Sequence, residues 1–214
     1  MKKFVLLSTL FILFLGCEKS EDESVTDVTP EVPVATNATD ITCNSFTANW
    51  DKAANALSYE IDVATDSYFN MIVATGTSTS NAIGLLNLES NTRYFYRVRA
   101  VNGDKKSANS NSINTFSLPE PPVALSATNV GSSGFTVNWL WSQSITSYLL
   151  YVSTESFPHD SSKNLPNYNG IVVVSNTHNV VGLTSNTDYY YVLKATNGTN
   201  ISAISNTIIC TTLN

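Results

Sequence analysis

Two histidines, three cysteines and a row of arginines are the residues of this 214-residue chain whose chemistry could reach beyond packing. His159 stands beside Asp160 and directly after Pro158, a spacing that offers an acid–base pair, and His178 follows nineteen residues later. A nucleophilic triad requires a base oriented by a third group against Ser or Cys, and a metal site requires further ligands at short spacing. Neither pattern accompanies these histidines, so the chain is read as non-enzymatic, with no cofactor and no metal. Arg93, Arg97 and Arg99, with Lys105 and Lys106 nearby, form a possible anion stripe. The whole chain nevertheless carries a formal charge of −6, which argues against a nucleic-acid partner reached through a basic surface.

The thiol with the clearest chemical setting is Cys17. Lys2 and Lys3 precede an apolar run, Phe4 to Leu15, which is too short for a comfortable permanent span, and Gly16-Cys17 closes it. This segment resembles the lipobox of bacterial lipoproteins, although Phe14 and Leu15 are bulkier than that motif usually carries. The resemblance implies cleavage after residue 16, lipidation of Cys17 by palmitate or a related acyl chain, and an outer-membrane address with the membrane as partner. An ordinary secretory signal with a chance cysteine is the competing reading. Residues 17–33 follow as an acidic tether; six acidic residues, one lysine and two prolines between 18 and 33 leave little apolar surface to offset ordering entropy. Acidic residues directly after such a cysteine also resemble surface-export signals, which implies display outside the cell. A linker repelled by an anionic membrane would look the same.

Beyond the tether the chain repeats itself. V34-A-T-N-A-T-D-I-T-C-N-S-F-T-A-N-W50 recurs 89 residues later as V123-A-L-S-A-T-N-V-G-S-S-G-F-T-V-N-W139, with eight of seventeen positions identical. L88-E-S-N-T-R-Y-F-Y-R-V-R-A-V-N-G103 then recurs at an offset of 95, and so do S110-N-S-I113 and S205-N-T-I208. A repeat of this length is a whole small domain, longer than the roughly 20–50 residues of a solenoid unit. Two copies follow, 34–118 and 119–214. Cys43 and Cys210 lie in different copies and are expected as free thiols.

Within each copy the strand period is plain. Phe46, Ala48 and Trp50 alternate with polar residues, as do Tyr59, Ile61 and Val63, and then Tyr94, Tyr96, Val98 and Ala100. Short strands separated by turns favour a two-sheet β-sandwich. Trp50, Tyr59 and L88-x-x-x-T92-x-Y94-x-Y96-x-V98-x-A100-x-N102 resemble a fibronectin type III domain, and Trp139, Tyr148 and L183-x-x-x-T187-x-Y189-x-Y191-x-L193-x-A195-x-N197 repeat the match. The resemblance implies an all-β chain of two tandem seven-stranded immunoglobulin-like sandwiches, with Tyr94 and Tyr189 as corner tyrosines bonded to upstream backbone. Ser90 and Ser185 stand where a proline is common. Asn102-Gly103-Asp104 occupies the loop where some members carry Arg-Gly-Asp. The arginine is missing and Asn197-Gly198-Thr199 fills the same place in copy two, so turn preference explains the pair.

The two copies serve as controls for each other. On the outward face, Glu60 and Asp62 of copy one oppose the arginine row, a sufficient structural reason for both. Copy two replaces Glu60 and Asp62 with Leu149 and Tyr151, Phe95 and Arg97 with Tyr190 and Val192, and Asn114 with Ile209. A contiguous apolar patch on a soluble domain marks a contact. A six-residue insertion between Phe157 and Gly170, carrying Leu165, Pro166 and Tyr168, offers the alternative that it folds back over this face. Trp141, where copy one has Lys52, adds a candidate stacking platform. The expected role is therefore adhesion or protein interaction at the cell surface through Leu149, Tyr151, Tyr190, Val192, Ile209 and Trp141. Glycan binding is the alternative, with an unknown surface protein or glycan as partner.

Overall fold

The computed structural model describes residues 28–142, 144–158 and 160–214. The expected leader, Cys17 with its expected lipidation, the first part of the expected acidic tether, Gln143 and His159 lie outside the described residues.

Copy one builds β1 (Ala35–Thr39), β2 (Phe46–Trp50), β3 (Ser58–Ala64), β4 (Ile72–Ser78), β5 (Ala82–Leu85), β6 (Arg93–Asn102), β7 (Lys105–Lys106) and β8 (Ile113–Phe116). One sheet has the order β1-β2-β5; the other runs β4-β3-β6, with β7 and β8 both paired to the far side of β6. β7 and β8 together supply one last strand, so the sandwich has the expected seven. Copy two gives β9 (Ala124–Thr128), β10 (Gly134–Trp139), β11 (Ser147–Ser153), β12 (Asn164–Val173), β13 (Thr177–Val181), β14 (Asp188–Thr196) and β15 (Ile208–Thr211), in sheets β9-β10-β13 and β12-β11-β14-β15.

The alternation in sequence becomes two cores. Trp50 packs on Tyr59 and Trp139 on Tyr148, each with ring centres 5.4 Å apart. Phe46 meets Tyr94 and Tyr96, and Phe135 meets Tyr189 and Tyr191, from the facing sheet. Burying each of these rings stabilises the sandwich by about 1.5–3 kcal/mol. The corner tyrosines do as expected: the Tyr94 hydroxyl accepts from the Glu89 N–H at 2.8 Å, and the Tyr189 hydroxyl from the Thr184 N–H at 3.0 Å.

The repeated Ser-Asn residues gain a reason from the fold. Where the chain leaves β6, Ser107 and Ser110 donate their N–H groups to Ala100 and Val98, and their Oγ atoms accept the N–H of those same residues. Ser202 and Ser205 do the same for Ala195 and Leu193. A serine hydroxyl thus stands in for a ladder carbonyl while the strand bends away, giving the backbone N–H groups of Val98, Ala100, Leu193 and Ala195 their acceptors. The next residue, Asn111, closes a two-bond ring on the backbone of Ala35, and Asn206 closes the same ring on Ala124.

One boundary moves. Residues 28–33, read above as the end of the tether, lie against copy one: Pro30 and Pro33 are buried, Glu31 donates its N–H to Ala54 at 3.0 Å, and Asn102 donates Nδ2 to Val28 at 3.3 Å. The run Pro30-Glu31-Val32-Pro33-Val34 recurs as Pro119-Glu120-Pro121-Pro122-Val123, again with Pro119 and Pro122 buried. The acidic composition masked a proline segment that belongs to the domain.

Candidate functional site

The outer face of copy one is closed by ion pairs. β3 lies beside β6 in a register that sets Glu60 opposite Arg99 and Asp62 opposite Arg97. Glu60 takes Arg99 and Lys106, each at 2.7 Å, and Asp62 takes Arg97 at 3.0 Å. Hydrogen bonds from Lys106 and Arg99 hold the Glu60 carboxyl below its ordinary range. Arg97 also lies 4.2 Å over the Phe69 ring, and Arg93 stacks between Phe95 and Phe116. The arginine row is spent on its own sheet.

On copy two the same register sets Leu149 opposite Lys194, Tyr151 opposite Val192, and Tyr190 opposite both Ser153 and Ile209. Leu149, Tyr151 and Tyr190 are half-buried and Ile209 is 55% exposed. Val192 departs from the expectation: it points to this face yet is 0% exposed. It is a short β-branched side chain flanked by Tyr151 across the sheet and by Tyr190 and Lys194 along β14, so longer neighbours close over it. The Tyr151 ring lies along the sheet, against Gly170 on one side and 5.7 Å from the Lys194 ammonium on the other. Burial raises the Tyr151 phenol above its ordinary value.

The insertion does not fold back over this face. It extends β12 to ten residues and sends Tyr168 into the core, where its hydroxyl accepts the Val181 N–H at 2.8 Å. Tyr168 therefore ties the edge of one sheet to the edge of the other and closes the side of the sandwich. Leu165 packs against the same core. β12 also brings up Val172, 67% exposed and opposite Leu149, which enlarges the apolar face. Copy one has Thr77 at the matching position across from Glu60, and Val172 escapes a reading of the sequence that assigns no strand to that segment.

Trp141 is not on that face. It sits 52% exposed in the loop after β10, edge-on to Tyr148 at 5.7 Å, at the junction between the two copies. There Ser90 and Asn91 of copy one, Glu120 and Pro121 of the linker, and Trp141 and Ser142 of copy two line a cleft of about 380 Å³. The candidate residues thus separate into two places. The junction itself is pinned by Asn91, which donates Nδ2 to the Ser144 carbonyl at 3.1 Å and accepts from Asn197 Nδ2.

Cys210 is buried and Cys43 half-buried, both free. His178 packs edge-on to Tyr168 at 6.2 Å, and burial lowers its pKa. Among the described residues no three His, Cys, Asp or Glu side chains gather as metal ligands, and no helix is long and apolar enough to cross a membrane.

Two sheets per copy, an inward tryptophan and a tyrosine corner define a tandem pair of immunoglobulin-like sandwiches. The chain belongs to the fibronectin type III family, whose model matches residues 31–116 and 120–211. Among solved structures it is similar to a two-domain fibronectin type III segment of chicken tenascin, at 18% identity and a TM-score of 0.50, covering 85% of this chain and 100% of that one. It is also similar to the FN1–FN3 domains of chicken CNTN1, at 17% identity and a TM-score of 0.43, covering 87% of this chain and 69% of that one. These likenesses concern the fold. No curated protein sequence matches significantly. Fibronectin type III domains serve generally as interaction or adhesion modules, typically as non-enzymatic scaffolds.

Proposed function

We propose that this chain is a non-enzymatic outer-membrane lipoprotein, anchored through Cys17 and displayed at the cell surface, whose second domain mediates adhesion or protein interaction. The observation that carries the interaction is the exchange of one sheet face for another in the same fold. Copy one neutralises its face with Glu60, Asp62, Arg97, Arg99 and Lys106. Copy two offers Leu149, Tyr151, Tyr190, Ile209 and Val172 instead, partly open to water. Apolar area left in water is unfavourable by roughly 25 cal/mol per Å², and a partner removes that cost. The anchor rests on the leader and the placement of Cys17 after Gly16.

The test of the interaction is capture of cell-surface material by the chain. Replacing Tyr151 and Tyr190 with Ser abolishes capture while circular dichroism stays unchanged; undiminished capture removes this face. For the anchor, labelled palmitate enters the wild-type chain and is lost in Cys17→Ala, and retained label removes the lipoprotein assignment.

A second reading, glycan binding, is favoured by Trp141 at the polar junction cleft. It predicts retardation of the chain in polysaccharide gels, and migration unaffected by any polysaccharide counts against it.

A further inference from the structure

We propose that the cleft between the two domains is a saccharide site, taking one neutral pyranose ring against the face of Trp141. The proposal rests on the glycan reading above and names its site and ligand chemistry. A pyranose presents a C–H face that packs on an aromatic ring and a rim of hydroxyls that seek donors and acceptors. The cleft offers both in one place. Trp141 leaves about half of its surface open, and Ser90, Asn91, Glu120 and Ser142 surround it. Its volume of about 380 Å³ lies at the small end of the range of about 300–1,000 Å³ for ligand clefts, which favour domain interfaces.

The charge of the lining narrows the ligand. Glu120 is exposed, and its carboxylate has no hydrogen-bond or ion-pair partner among the described residues. A carboxylate accepts from two neighbouring hydroxyls at once. Among the described residues no Lys, Arg or His lines the cleft, so the Glu120 carboxylate disfavours an acidic sugar or a phosphate there.

The comparison of the copies shows that the cleft belongs to the junction. At the matching end of copy one, Lys52 replaces Trp141 and Asp51 replaces Leu140. Glu31 recurs there as the partner of Glu120, so the carboxylate alone is repeat inheritance, whereas the tryptophan is not. The Ser90 and Asn91 wall exists only because one domain precedes the other. That wall is held: Asn91 is bonded to the Ser144 carbonyl and to Asn197, and the linker prolines Pro119 and Pro122 are buried. After those two bonds the Asn91 amide retains one N–H and one lone pair for a ligand. A cleft set in advance loses less entropy on binding than one assembled by the ligand.

The experiment uses the chain with maltotriose, xylotriose, mannotriose and chitotriose, one at a time, by titration calorimetry and tryptophan fluorescence. Trp50 and Trp139 are 3% and 1% exposed, so a saccharide-induced blue shift reports on Trp141. At least one trisaccharide is expected to bind saturably. Trp141→Ala then weakens binding by about tenfold or more, as loss of one ring stack does. Glu120→Gln weakens it less, and the double variant Tyr151→Ser, Tyr190→Ser leaves it unchanged. Circular dichroism confirms that each variant is folded, and Trp141→Phe, which keeps a ring, retains part of the affinity. Binding that ignores Trp141→Ala leaves the chain a glycan binder and removes this cleft. Binding of none of the four removes the cleft and the glycan reading together. A shift produced instead by a lysine-bearing polyproline peptide, through the same Trp141 and Glu120, overturns the saccharide in favour of a peptide.

Discussion

The Asn91 side chain of the first domain donates to the Ser144 carbonyl of the second at 3.1 Å, and the same amide accepts from Asn197. One residue at the corner of copy one therefore holds two loops of copy two. Asn91 lies at φ +50, a left-handed backbone that Asn tolerates and Gly adopts without strain. Asn91→Gly is expected to free the two domains while changing unfolding free energy by no more than about 1 kcal/mol. Small-angle scattering should show a wider distribution of maximum dimension; an unchanged distribution would mean that the linker alone sets the geometry.

Tyr168 closes the side of the second sandwich through its ring and its bond to Val181. Tyr168→Phe keeps the ring and loses the bond, at about 1 kcal/mol, whereas Tyr168→Ala also leaves a cavity and costs roughly 3 kcal/mol. Denaturant unfolding of the two variants checks the ratio. Equal losses would show that the hydroxyl carries the contact.

Gly170 lies at φ +79, and a Cβ there would fall 3.0 Å from the Tyr151 hydroxyl. Gly170→Ala is thus strained by its backbone and displaces the Tyr151 ring from its seat, at about 1–2 kcal/mol for the left-handed residue. The expected result is a changed near-ultraviolet signal and lost capture through the sheet face. Intact capture would mean that the ring's placement on β12 is irrelevant to binding.

Glu60 links the charged face of copy one to acid stability. Lys106 and Arg99 depress its folded-state pKa below the ordinary value of 4.5, so the unfolded chain takes up the proton first as pH falls. This stabilisation is complete above the ordinary value and is lost as pH falls through the depressed one. Wild type should lose more stability than Glu60→Gln between neutral and strongly acidic pH. Parallel melting curves would show that the pairs contribute nothing.

Comparison of the copies in sequence made the scaffold legible. Trp50, Trp139, the corner tyrosines and the inward alternation of β6 and β14 are repeated and buried as their period requires. The opposition of Glu60 and Asp62 to the arginines was legible too, since strand parity and order suffice to place them. Less legible was Val192, outward by parity but covered by taller neighbours. Periodicity assigns a face, and burial depends on the sizes of side chains that lie far apart in sequence.

By itself the sequence determined two copies of one sandwich, their strands and their cores, because those follow from local period and repetition. Tertiary structure alone decided where Tyr168 goes, that residues 28–33 belong to copy one, and that Trp141 stands with Ser90, Asn91 and Glu120 in a cleft apart from the sheet face. Those are contacts between elements or between domains, set by register, by loop length and by the way one copy abuts the next. No local pattern encodes such distances.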